Sequence, residues 1–152
     1  MTTENKNIGK LSPSFSVSTM IKSQTATKNK FFEQFVPNDF VIENLNELCN
    51  ELLEPLYMWL MSENSGSVLK VTSGYRCKRL NATVGGSKNS QHVKGEAADI
   101  QLFVDGKMQN NEIVSTISEL GLEFDQMIWE HGGKWVHISY SKGKNRNQYI
   151  ET

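Results

Sequence analysis

The sequence predicts an α+β domain: a central, largely antiparallel sheet with helices packed on one face and a candidate metal site on the other. Three observations predict it. Apolar residues from Val41 to Leu56 recur at three- and four-residue steps, the spacing of an amphipathic helix. From Ser67 onward the period shortens to two, and β-rich runs alternate with Gly-containing turns. Of the chain's 3 histidines, His137 falls with Asp99 where the alternation places both on the polar side of the sheet, and His92 lies in the loop just before the Asp99 strand.

The elements follow in order. Residues 1–13 read as a flexible start. Phe15-Ser16-Val17 is expected as a short strand, with Ser18 capping a short helix over Thr19–Lys22. The polar run Ser23–Asn29 is a loop or a weak helix. Pro37-Asn38-Asp39 is a helix start, combining a rigid Pro, a capping Asn and an acid in the first turn. Val41, Leu45, Leu48, Cys49, Leu52, Leu53 and Leu56 form the buried stripe of the helix that follows. Pro55 must kink or divide that helix, because it lacks an N–H and its ring crowds the carbonyl four residues earlier. Val68–Thr72 is a strand, Cys77–Val84 a short helix or irregular segment, and Gly85-Gly86-Ser87 a turn. Ala97–Val104 is a strand with Ala98, Ile100 and Leu102 on one face and Asp99 and Gln101 on the other. Asp105-Gly106 is a turn, Asn110 or Asn111 caps a second helix, and Gly121 stops it. Phe124–Glu130 and Trp135–Tyr140 pair as a hairpin. The domain is expected over 14–141, with 142–152 as a solvated, basic tail.

Composition narrows the function classes. The 152 residues suffice for a single core, and 38% hydrophobic with 22% charged residues is an ordinary globular balance. Lys plus Arg (16) nearly cancel Asp plus Glu (17), leaving no electrostatic footprint for nucleic acid or an acidic membrane. The polar N-terminus lacks the apolar core of a signal peptide, so synthesis in the cytoplasm is expected. Cys49 and Cys77 read as unpaired thiols of a reducing compartment, and a monomer is expected.

The polar face carries the chemistry. Two imidazoles and a carboxylate form a three-ligand set for one Zn²⁺ ion, with the fourth position open. Gly95 permits the sharp return that brings His92 back to the Asp99 strand. Taking Gly132-Gly133 as a two-residue turn, Glu130 opposes Trp135 and Ile128 opposes His137. Glu130 is then the diagonal neighbour of His137, roughly 7–8 Å away, and His131 points to the opposite face. Glu130 is therefore preferred over His131 as general base. A longer loop would free His131 to turn in. Arg76, just after a strand in Ser73-Gly74-Tyr75-Arg76, is the fixed cation that a developing oxyanion requires.

Ser90-x-His92-x-x-Gly95-x-Ala97-x-Asp99, with Trp135-x-His137, resembles the zinc D-Ala-D-Ala carboxypeptidase and L-alanyl-D-glutamate peptidase family, which has the Hedgehog/DD-peptidase fold. Ser73-Gly74-Tyr75-Arg76 is similar to that family's arginine motif, and the likeness covers nearly all of residues 14–140. The resemblance implies that His92, Asp99 and His137 are zinc ligands, that Arg76 stabilises the carbonyl oxygen, and that Ser90, Tyr75 and Trp135 line the substrate. Many members place a Glu, Asp or His three to five residues before the last ligand. Here those positions hold Lys134, Gly133 and Gly132, so the proton-transfer role passes to Glu130 or His131. The implied substrates are peptidoglycan stem peptides. The expected setting is a phage-type lysis enzyme that acts on the cell wall after release from the cytoplasm. The alternative is a non-catalytic zinc module of the same fold.

Overall fold

The structure, a computed structural model, describes residues 9–152. Strands β1 (Lys10–Ser12) and β2 (Phe15–Ser16) pair antiparallel, and short helices α1 (Val17–Ile21) and α2 (Gln24–Lys28) follow. The start is thus less loose than expected. Residues 1–8 lie outside the described part, but Leu11 is buried in the core and Glu54 ties this segment down. The Glu54 carboxylate accepts from the Ser12 hydroxyl, the Ser14 N–H and the Ser14 hydroxyl, at 2.6–2.7 Å. Ser16, rather than Ser18, caps α1, accepting from Thr19 N–H.

Asn38 caps α3 (Asp39–Leu48), its side chain accepting from Val41 N–H. The next turn, Cys49–Leu53, is π-helical and leads into α4 (Glu54–Glu63) with Pro55 in its first turn. The sequence requires that widening. Pro55 cannot donate to the ladder, and the Glu54 N–H reaches back to the Cys49 carbonyl, opening the turn before the ring. Leu45, Leu48, Cys49, Leu52, Leu53 and Leu56 stay fully buried through the change of pitch. Burial raises the Cys49 thiol to about 12, consistent with a free, unreactive cysteine.

The main sheet comprises β3 (Ser67–Ser73), β4 (Ala97–Val104), β5 (Lys107–Met108), β6 (Gln126–Glu130), β7 (Trp135–Ser139) and β8 (Gln148–Glu151). Its order is β3-β4-β7-β6-β8, with β5 also pairing with β4. Helices α5 (Lys78–Thr83) and α6 (Asn111–Leu120) lie between strands in the chain. The sheet is mixed: β8 runs parallel to β6, and the other pairings are antiparallel. The expected tail at 142–152 therefore contains an edge strand. It is anchored by Arg146, whose backbone N–H and guanidinium both donate to the buried carboxylate of Asp125. Ala98, Ile100, Leu102, Val136 and Ile138 enter one core with Leu45, Leu52, Ile113 and Ile117. Along the strands, alternation turns Asp99, Gln101 and His137 the other way. No helix among the described residues is long and apolar enough to cross a membrane.

Candidate metal centre

Asp99 and His137 are direct cross-strand partners in β4 and β7. His92 arrives from a single 3-10 turn, Gln91–Lys94, capped at its start by Ser90 Oγ, which accepts from His92 N–H. Gly95 closes that turn in the left-handed conformation (φ 78°), where a side chain would be strained and would collide with the Val41 carbonyl of α3. Ligand atoms of His92, Asp99 and His137 lie within 4.8 Å of one another. Asp99 Oδ1 faces both rings, 3.0 Å from His137 Nδ1 and 3.3 Å from His92 Nε2.

The donor set fits a zinc ion. His92 Nδ1 lies 2.7 Å from the Gly74 carbonyl, an acceptor only, so this nitrogen carries the proton and Nε2 presents its lone pair to the centre. His92 is 2% exposed and Asp99 8%, so the ring and carboxylate are fixed by packing. Burial opposes the charge of Asp99. The hydrogen bond from His137 Nδ1 outweighs it and holds the carboxyl well below the usual carboxylate range.

Arg76 occupies the other oxygen of the carboxylate, with Nη2 3.3 Å from Asp99 Oδ2. Its Nε donates to Ser73 Oγ and its Nη1 to Asn81 Oδ1, both at 3.1 Å. Asn81 is held in turn by the Ser87 carbonyl, to which its amide donates. Gly86 allows this seat: a Cβ there would stand 2.0 Å from Asn81 Oδ1 and 3.0 Å from Arg76 Nη1. Each terminal nitrogen of Arg76 keeps one N–H beyond these bonds, a fork suited to an oxygen on a ligand. Burial draws the guanidinium pKa down, and the Asp99 charge works against that.

The hairpin keeps the expected register, with Glu130 opposite Trp135 and Ile128 opposite His137. Its loop differs. His131–Lys134 is a four-residue turn, and His131 takes a left-handed backbone (φ 50°). Strand alternation therefore does not govern His131. Its ring stacks on Trp135, centroids 4.8 Å apart, instead of pointing to the opposite face. Glu130 Oε1 and His131 Nδ1 are 3.9 Å apart on the same flank. Thr152, beyond β8, donates its hydroxyl to Glu130 Oε1 (3.1 Å) and accepts from His131 N–H (3.0 Å). Tyr75, beside Arg76, is half-buried and packs against both the main core and a small satellite cluster of Ala26, Cys77 and Leu80.

Several supporting residues escaped the sequence reading. Gln34 is fully buried; its amide donates to the Ile21 and Tyr75 carbonyls, and its oxygen accepts from Cys77 N–H, fixing the segment that carries Arg76. Asn110 was expected only as a cap. Its oxygen accepts from Leu102 N–H and its amide donates to the Gly133 carbonyl, joining β4 to the hairpin loop. A polar residue in an otherwise local pattern gives no sign of such distant partners.

A comparison with curated proteins finds no match. The family scan does: the Peptidase M15 model aligns with residues 13–139, a span that opens at the β1–β2 hairpin and ends on the last residue of β7, taking in every ligand candidate and Arg76. The chain with this His–Asp–His centre therefore belongs to the Peptidase M15 family.

Proposed function

We propose that the protein is a zinc-dependent peptidase that hydrolyses amide bonds in peptidoglycan stem peptides, as a D,D-carboxypeptidase or an L-alanyl-D-glutamate endopeptidase. Family membership implies peptidase activity, and M15 peptidases are zinc-dependent. The observation that carries the reading is the convergence of His92, Asp99 and His137 within 4.8 Å, with the His92 tautomer set by Gly74. His92 Nε2, Asp99 Oδ1 and His137 Nδ1 would hold the ion. A bound zinc supplies Lewis acidity to the scissile carbonyl and to water.

The chain's own groups supply the rest. The free N–H bonds of Arg76 are directed to an oxygen that gains charge as the amide carbon becomes tetrahedral. Glu130 takes the proton of the attacking water and returns it to the departing amine, with His131 as the competing candidate beside it. Thr152 orients the Glu130 carboxylate. We assign Ser90, which caps the His92 turn, and Trp135, two residues before His137 in β7, to substrate contact together with Tyr75. A phage-type cell-wall lysis role, exerted after release from the cytoplasm, is the setting we propose.

Purified peptidoglycan and defined muropeptides test this directly. Zinc-loaded protein should release peptide fragments that mass spectrometry identifies, and chelation followed by zinc return should abolish and restore cleavage. Binding of wall peptides without any cleavage would overturn the enzyme reading in favour of a non-catalytic zinc module.

A further inference from the structure

An open cleft of about 870 Å³, lined in part by Arg76, lies between β3 and the N-terminal helices. Its wall includes Lys22 and Lys28 from the α1–α2 region, Lys70 from β3, and Arg76, and no Asp or Glu lines it. It lies on the metal-site face of the sheet. Lys70 is the cross-strand partner of Gln101, which shares a face with Asp99, while neighbouring Val71 turns into the core. Among the described residues, Lys22, Lys28 and Lys70 have no carboxylate within ion-pair distance, whereas Arg79 and Lys142 each have one. In a chain whose formal net charge is −1, three lysines left unpaired beside an arginine are a local excess of positive charge. Like charges gathered in a concave wall repel one another, and an anionic ligand relieves that cost. Ser23, Thr25 and Thr72 add hydroxyl groups between the cations, and Tyr75 and Phe35 give the cleft apolar surface for methylene groups.

We propose that this cleft receives free carboxylates of the same peptide that is cut at the metal centre, so that the enzyme selects stem peptides bearing acid groups over their amidated forms. The inference rests on the peptidase reading and adds the charge of the substrate to it. Arg76 joins the two regions. Its guanidinium touches Asp99 and also lines the cleft, and Ser73, another cleft residue, is the cross-strand partner of Asp99, so the lysine-lined wall adjoins the ligand set. The lysines act as long, mobile point charges that suit carboxylates at several positions along an extended peptide.

The test compares L-Ala-γ-D-Glu-L-Lys with free carboxylates against the same tripeptide amidated at both, by calorimetric titration of the zinc-loaded protein and by kcat/KM on longer peptides of the two kinds. The expected result is about tenfold or greater preference for the acid form, the effect of charge-assisted hydrogen bonds, weakening as salt is raised. The combined variant Lys22→Gln, Lys28→Gln, Lys70→Gln should bind both forms alike while unfolding at the wild-type temperature. Equal affinity of the wild type for the two forms would overturn the inference, as would a preference that survives in the variant. Tight, lysine-dependent binding of polyphosphate in place of the peptide acid would overturn it too. Cleavage of neither peptide counts against the peptidase reading alone, since the titration still decides the cleft.

Discussion

Glu130 and His131 are the residues whose roles one substitution each can separate. They sit side by side, but in different surroundings. Glu130 is half-buried in a strand and held by Thr152, whereas the His131 side chain is 64% exposed on a loop and stacks on Trp135. A group that moves a proton must be held in one place relative to the substrate, which favours Glu130. Glu130→Gln should therefore lower kcat by about 10² or more, with zinc retained as measured by atomic absorption. His131→Ala should cost far less. The reverse ranking would transfer proton transfer to His131. The same reasoning separates His92 from His137. His92 has its Nδ1 bound to Gly74, so His92→Gln loses an oriented donor as well as a ligand.

Between the residue and the fold, small elements decide where Arg76 points. The arginine is seated by Ser73 at the end of β3, by Asn81 in α5, and by the close approach of Gly86 after that helix. Gly86→Ala must push Asn81 and the guanidinium aside. We expect kcat/KM to fall by about tenfold or more while zinc content stays unchanged, approaching the loss of about 10²–10³ expected for Arg76→Ala. A variant with wild-type kcat/KM would show that the seat is not needed. The π-helical turn before Pro55 has a comparable standing in the core. It lets one apolar stripe continue across a residue that cannot join the helical ladder.

At the scale of the whole molecule, the N-terminal hairpin, the helices and the sheet close around one core, and buried carboxylates fasten the ends. Glu54 holds the hairpin through Ser12 and Ser14, and Asp125 holds the C-terminal segment through Arg146 and Gln91. Burial opposes the Glu54 charge, but the Ser14 and Ser12 hydrogen bonds prevail and lower its pKa; Arg146 lowers that of Asp125. A carboxyl depressed in the folded state stabilises it above the unfolded pKa, near 4. That contribution is lost as pH falls through the folded value. The melting temperature should thus drop as pH goes below about 4. Glu54→Gln should cost about 1–3 kcal/mol at neutral pH and flatten that acid limb. An unchanged acid profile in the variant would assign the acid sensitivity to other groups.

The sequence by itself determined the α+β class, the Asn38 cap, the strand Ala97–Val104 and the side of the sheet on which Asp99 and His137 stand. Each follows from a period or a local bond within a few residues. The hairpin register was legible for the same reason, because Glu130 and Trp135 flank one short loop. Only the tertiary structure decided the setting of His131, the closing of the sheet by β8, and the anchoring of residues 10–12 on Glu54. It alone showed Gln34, Asn81 and Asn110 as supports and the lysines of the cleft as neighbours of Arg76. Those depend on contacts between segments far apart in the chain, which leave no periodic trace in either partner's neighbourhood.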